Sequence, residues 1–515
     1  MARLGAFCFP GTGHINPMTA LARSLQIRGH QVVMFGIADT EARVRAAGIE
    51  FHTIGMEDYP PGALTKLDEH LARLHGFAAL RFTLKRVRDT GRMVRRDGPQ
   101  AVRAANVEAL LVDESDSAGN VADLLGLPWI SIALIPPLLQ DDRFPPFWLG
   151  WPAGQDRLSR LRNRFAIFSL LQVGASVITD VNRQRVAWGL KPFLRPEDAL
   201  SRLGTITQLP EALEFEFAGE KPPRLHYTGP FVHAKQRPAV DFPWERLDGR
   251  PLIYASMGTL HNGLEAIFRI IAEACATLDA QLVISLGGGI DPARLSKLAG
   301  NPLVVSFAPQ LEILKRASLV ITHSGINTVL ESLCEGVPMV AVPLAHDQPG
   351  IAARVKARGA CEVVPLRRLN AARLHKAVAQ VLQNARYREA AQALQRAIQP
   401  VDWPGRAADI IEQLLKLRPM EPLASTASLD PKTEPSHAAA PPPETVPLRA
   451  TPAKPPLSAQ PAQRCQATRP KAAPAETTRR WLRFEAAPPA GTGRPIRKRF
   501  QTGRPPAPER PLQAG

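Results

Sequence analysis

The segment from Phe307 to Pro349, FAPQLEILKRASLVITHSGINTVLESLCEGVPMVAVPLAHDQP, constrains the fold more than any other part of the chain. It opens on a turn at Ala308-Pro309 and runs into an apolar strand, Leu319-Val-Ile-Thr322. A polar turn, His323-Ser-Gly325, leads into a helix. A second apolar strand, Met339-Val-Ala-Val342, then ends towards Asp347-Gln348. Two apolar strands joined through a helix read as neighbours in a parallel sheet covered on both faces. The small-residue turn gathers unpaired amides and the positive end of a helix dipole, which suits an anion. The polar end of the second strand opens onto the same sheet edge, where α/β proteins bind ligands.

The same alternation runs through the rest of the chain. In the first half it predicts strands at Leu4–Phe9, Gln31–Phe35, Ala109–Val112 and Trp129–Leu134, with helices over His14–Arg28 and up to Leu125. The second half restarts with a strand at Leu252–Ser256, a helix over Leu264–Leu278 and a strand at Gln281–Ser285. This is an α/β pattern of two Rossmann-like, doubly wound domains facing a cleft. The expected domains are 1–235 and 236–420, with a hinge near Gly229–Trp244 and a last helix, Pro404–Leu417, crossing back onto the first domain.

Residues 421–515 form a third region. They hold 15 Lys and Arg against 7 Asp and Glu, and 20 of the 50 prolines. So little apolar content cannot offset chain entropy, and this basic tail is expected to be disordered. Its clusters, such as Arg497-Lys-Arg499, point either to a solubilising role or to peripheral contact with an anionic membrane surface. No specific nucleic-acid partner is expected. The five cysteines, Cys8, Cys275, Cys334, Cys361 and Cys465, have neither metal nor CxxC spacing, which fits buried thiols in a reducing cytoplasm. The start, MARLGAFCFPGTGH, does not read as a signal peptide. No window approaches eighteen uncharged apolar residues, so no transmembrane helix is expected.

Gly11-Thr-Gly-His14-Ile-Asn16-Pro17 follows the first strand at once. A histidine at the start of that helix faces the cleft and, with a pKa near neutral, can take a proton from a hydroxyl. Such a base needs a carboxylate to orient it. Asp113, at the end of the Ala109–Val112 strand, reaches the same edge; Asp116 and Glu114 are rivals. Ser256-Met-Gly258-Thr259 makes the corresponding turn of the second half.

Phe307, Pro309, Gln310, His323, Gly325, Asn327, Thr328, Glu331, Asp347 and Gln348 together resemble the nucleotide-sugar signature of family 1 UDP-glycosyltransferases, in order and spacing. The resemblance implies the GT-B architecture. It puts Gln310 and Phe307 at the uracil, and His323, Gly325, Asn327 and Thr328 at the diphosphate. Glu331 falls at the ribose, Asp347 and Gln348 at the sugar, and Gly258 and Thr259 near the donor phosphates. It makes His14 of the G-H-x-N-P pattern the general base, with an Asp partner. It implies inverting transfer, and the lack of an obvious DxD in the donor half fits an enzyme without cofactor or metal.

The aromatic segment Phe144-Pro-Pro-Phe-Trp-Leu-Gly-Trp151 suits a large apolar acceptor. Tyr59–Leu64, Val112–Gly119, Leu125–Ser131, Ala255–Leu260 and Pro343–Gly350 are similar to bacterial zeaxanthin glucosyltransferases. The partners this implies are a UDP-sugar and a lipophilic hydroxylated acceptor, a hydroxycarotenoid first. His346 stands where those enzymes often have Phe, beside the sugar-binding pair. The alternatives are a macrolide, polyketide or sterol acceptor, a nucleotide-sugar epimerase, or a non-catalytic sugar-nucleotide-binding protein.

Overall fold

Parallel pairing runs through both halves of the chain. The computed structural model describes residues 1–417, apart from 73, 75, 139–140, 217–221, 223, 233–239, 259–264, 289, 296 and 399–400. The expectations for the tail, for Cys465 and for Thr259 therefore lie outside the described residues.

The first sheet holds β1 (Arg3–Phe7), β2 (Gln31–Gly36), β3 (Glu50–Thr53), β4 (Ala109–Asp113), β5 (Trp129–Ala133), β6 (Thr205–Thr207) and β7 (Leu225–Tyr227). Its order is β3-β2-β1-β4-β5-β6-β7. The second sheet holds β8 (Leu252–Ser256), β9 (Gln281–Ser285), β10 (Leu303–Val305), β11 (Ala317–Thr322), β12 (Met339–Ala341) and β13 (Cys361–Val363). Its order is β10-β9-β8-β11-β12-β13. Each order reverses once, between β1 and β4 and between β8 and β11, and a crevice for ligands opens at such a point.

Helices cover both faces of each sheet, which is why Leu110, Leu111, Ile253 and Ile321 are fully buried. Those of the first half are α1 (Thr12–Ile27), α2 (Ala38–Ala46), α3 (Ala63–Ala72), α4 (Gly76–Ala104), α5 (Gly119–Leu125) and α6 (Arg157–Ala187). Those of the second are α7 (Glu265–Cys275), α8 (Gln310–Leu314), α9 (Ile326–Cys334), α10 (Gln348–Ala357), α11 (Ala371–Gln383), α12 (Ala385–Ile398) and α13 (Trp403–Leu415). Helix α13 leaves the second half and packs on α1, with Ala407, Ala408 and Ile411 buried among first-domain residues. Glu412 fixes it there, accepting from Arg28 Nε at 2.8 Å and Nη2 at 2.6 Å and meeting His30 Nε2 at 3.0 Å.

The chain also crosses between cores earlier. Leu209 and Leu213, between β6 and β7, pack into the second domain's core. Cys8, Cys275, Cys334 and Cys361 are free thiols.

One helix bears on the expectation that no segment spans a membrane. Helix α6 is long and apolar enough, by length and composition, to cross a membrane, and only 11% of its most apolar stretch is buried. It holds no unbroken apolar run of eighteen residues. Polar Ser169, Gln172, Ser176 and Thr179 break up a stretch that is uncharged from Phe165 to Thr179 and ends at Asp180.

Candidate active site

The register of β1 against β4 pairs Phe7 with Val112 and carries Asp113 to the edge beside the β1–α1 turn. Gly11, extended at the N-cap, lets the chain turn sharply, and His14 falls in the first turn of α1. His14 Nδ1 lies 2.6 Å from Asp113 Oδ2. A carboxylate only accepts, so the contact places a proton on Nδ1 and leaves the Nε2 lone pair for chemistry. Asp113 is wholly buried and held in place. It accepts from the Phe9 amide at 3.2 Å and the Ser115 amide at 3.0 Å.

Burial alone would lower the His14 pKa. The charge and hydrogen bond of Asp113, with help from Asp347, outweigh it and raise the pKa above the ordinary 6.5. The rivals of Asp113 are occupied elsewhere. Asp116 accepts from the Ala118 amide at 2.9 Å, and Glu114 from the Leu138 amide at 2.8 Å. Burial, reinforced by the charge of Asp113, pushes both carboxyls up to about 7.

Across the cleft, Thr322 pairs with Ser256 on one side and with Ala341 on the other. The turns after β8 and β11 and the loop after β12 therefore leave from one edge. His323 stands between two glycines there. A Cβ on Gly258 would lie 2.6 Å from its Nε2, and one on Gly325 2.5 Å from it. Gly258 also has φ +74°, which disfavours any other residue. Ser324 is buried with φ +69°, a left-handed conformation at the mouth of α9. Gly325 caps α9 in extended conformation, so its first-turn amides open towards the cleft.

Gln310, Thr328 and Glu331 form a second group. Gln310 Nε2 donates to Glu331 Oε2 at 2.6 Å and approaches Thr328 Oγ1 at 3.5 Å. Tyr254 donates its hydroxyl to Gln310 Oε1 at 3.1 Å. Phe307 is half exposed, and its ring lies over Gly288, where a Cβ would come within 2.5 Å.

Asn327, expected at the phosphates, reaches the first domain instead. Its Nδ2 donates to the Gly13 carbonyl at 2.9 Å, and its Oδ1 accepts from Gln208 Nε2 at 3.2 Å. Asp347 caps α10, and burial pushes its carboxyl up to about 6 against the opposing pull of His14. Gln348 accepts through Oε1 from the Leu344 and Ala345 amides at 2.8 and 3.0 Å, which pins the loop before it.

Sequence reasoning missed Tyr254, Gln208 and Arg86. Arg86, on α4, is buried, donates to Asp68 at 2.8 Å and stacks 5.1 Å over the Phe9 ring beside His14. Its charge, after burial, also lowers the pKa of His346. None of the three belongs to a local motif, and each arrives through long-range packing. Among the described residues no His, Cys, Asp and Glu cluster could hold a metal ion.

Known proteins share both the sequence pattern and the fold of this chain. The family profile for UDP-glucoronosyl and UDP-glucosyl transferase matches residues 198–418, and that for the glycosyltransferase family 28 N-terminal domain matches residues 9–109. A zeaxanthin glucosyltransferase from Pantoea ananas is 30% identical over 420 residues, covering 81% of this chain and 96% of that protein. The 4'-demethylrebeccamycin synthase of Lentzea aerocolonigenes is 28% identical, covering 80% of this chain and all of its own length. Among solved structures, the glycotransferase of kitacinnamycin superposes with a TM-score of 0.62 at 23% identity over 80% of this chain and 98% of its own. That likeness shows the two-domain GT-B fold, and together with the identity to full-length relatives it establishes that this chain belongs to the UDP-glycosyltransferase family.

Proposed function

We propose that this UDP-glycosyltransferase moves a sugar, glucose first, from a UDP-sugar to a hydroxyl of a lipophilic acceptor, a hydroxylated carotenoid such as zeaxanthin, with inversion. The observation that carries the mechanism is the 2.6 Å contact between His14 and buried Asp113, facing Asp347 across the cleft. His14 Nε2 takes the acceptor's proton while its oxygen forms a bond to the anomeric carbon. The bond from that carbon to the UDP oxygen breaks, and an α-linked donor gives a β-glycoside. Asp113 stabilises the imidazolium that forms. The positive end of α9, with His323, meets the charge gathering on UDP. Gln310 and Glu331 take the base and ribose, Asp347 and Gln348 the sugar, and the scheme needs no resident cofactor.

The carotenoid acceptor is favoured by the relatives from Pantoea ananas and Pseudescherichia vulneris, both named zeaxanthin glucosyltransferase; the second is 35% identical over 268 residues. The second reading, a macrolide-like acceptor, has support in a Streptomyces fradiae relative named demethyllactenocin mycarosyltransferase, 26% identical. We place the enzyme in the cytoplasm, on the inner face of the membrane.

The test is transfer from UDP-glucose to hydroxycarotenoids in liposomes, read by mass spectrometry. A product one or two hexoses heavier is expected. Turnover with macrolide alcohols alone would move the acceptor to the second reading. The His14→Ala variant should lose transfer by about 10²–10⁴-fold while still binding UDP.

A further inference from the structure

We propose that the N-terminal half of α6 is a membrane-docking face that lies on an anionic bilayer and delivers the acceptor to the cleft. The proposal rests on the lipophilic-acceptor reading and names how such an acceptor is reached. Leu158, Leu161, Phe165 and Phe168 are 78%, 62%, 70% and 57% exposed. Their spacing of three and four residues sets them in one stripe along the helix. An exposed apolar stripe of this size on a soluble domain marks an interaction surface.

Charge selects the occupant. Arg157, Arg160, Arg162 and Arg164 stand in the first eight residues of α6 with no acid among them. Arg160 and Arg164 share one partner, Asp142, at 2.9 and 2.6 Å, and stay 50% and 69% exposed. The local balance is positive even after that pairing and the capping Asp156. Arginines around Leu and Phe make an interfacial helix, which sinks its apolar face to the acyl boundary and keeps its cations at the headgroups.

Lying on the surface, rather than spanning, follows from how α6 is held. Asp180 bridges Arg92 and Arg95 of α4, and Arg185 pairs with Asp123 of α5 at 2.7 Å. The helix cannot leave its domain without breaking these ion pairs. The docking stripe is also continuous with the cleft. Arg162 stacks 4.7 Å over Trp151, in the aromatic segment whose Phe147 carbonyl abuts Gly350, two residues after Gln348. Tryptophan beside a lipid-facing helix suits the interface level. A long acceptor seated in the bilayer could thus present its terminal hydroxyl along the aromatic segment to His14.

The full-length chain is sedimented with vesicles of neutral phosphatidylcholine and with vesicles containing phosphatidylglycerol. Preference for the anionic vesicles is expected, and the double variant Phe165→Ser/Phe168→Ser should lower that partitioning by about tenfold or more. Both proteins carry the same basic tail, so equal partitioning would assign docking to the tail and overturn the proposal. In a second measurement, Phe165→Trp should shift its emission to the blue and be quenched by brominated lipid. An unmoved spectrum would overturn the proposal without any demand on folding of the double variant. A dimer in sedimentation velocity that Phe165→Ser/Phe168→Ser dissolves would assign the face to a second copy. Transfer to a water-soluble alcohol serves as the control. If it fails while vesicle binding holds, the glycosyl-transfer assignment fails and the docking face stands.

Discussion

At the residue scale the site turns on what holds two imidazoles. His14 accepts a proton only when neutral, and its pKa is raised by Asp113 above the ordinary value. Activity should therefore fall as pH drops through that raised value. Asp113→Asn removes the charge but keeps the size. The imidazolium loses its stabilisation, so kcat/KM should fall by about 10²–10⁴-fold, and the acidic limb should move to lower pH. A pH profile of kcat/KM checks both, and a limb that stays in place would mean another group titrates. His323 is set differently, with its ring packed between Gly258 and Gly325. Gly325 has φ −61°, so Gly325→Ala brings no backbone strain, only a Cβ 2.5 Å from the ring. UDP affinity measured by calorimetry should fall about tenfold while the melting temperature stays close to that of the parent. Gly258→Ala should lose affinity and also stability, by about 1–2 kcal/mol, because its φ is +74°. Unchanged UDP affinity in Gly325→Ala would remove His323 from the diphosphate.

At the element scale, the connections that carry the chain between domains decide stability. Helix α13 brings Glu412 beneath Arg28 and His30, and Arg28 first among its partners holds that carboxyl below its ordinary 4.5. A depressed carboxyl stabilises the fold in full above its unfolded pKa, and the stabilisation is lost as pH falls from there through the folded value. Glu412→Ala should cost about 2–4 kcal/mol at neutral pH, leaving buried His30 without this acceptor and Arg28 paired with Asp409 at the surface. The difference from the parent should shrink in acid. Denaturant melts at neutral and acid pH measure it, and a pH-independent difference would point to lost packing.

The strands around the site were legible because each is a short apolar run ending in a glycine turn or an acid. The run Leu252–Ser256 coincides with β8, and Gln281–Ser285 with β9. Short edge strands such as β7 and β13, three residues each, carry too few residues to show a period. The long helices α4 and α6 went unread. Their arginines and the interrupted apolar stripe of α6 match neither a core helix nor an unbroken span. Asp113 was readable as a strand end, whereas its choice over Asp116 needed the position of α5, whose N-terminus engages Asp116.

For the whole molecule, the question is how the donor half meets the half that carries the base. Several contacts join them at the cleft. Asn327 reaches Gly13, one residue before His14, and Gln208 supports Asn327. Arg354 on α10 pairs with buried Glu214, from the segment between β6 and β7, at 2.7 Å. At the head of the same helix, Gly350 lies so close to the Phe147 carbonyl that an added Cβ would stand 1.8 Å from it. A backbone carbonyl cannot swing aside as a side chain can, so Gly350→Ala must push α10 and the aromatic segment apart. Asp347 and Gln348 lie directly before that point, and a displacement of about 1 Å there separates sugar from base. Transfer should drop by about 10²-fold. UDP affinity should hold, because the groups around His323 and Gln310 lie on other elements. Transfer kinetics and UDP titration on the same variant separate the two effects. Parallel loss of both would mean that the substitution disturbs the donor domain itself. Full activity would mean that the reacting enzyme is more open at this seam, with Asn327 released from Gly13 and available to the diphosphate.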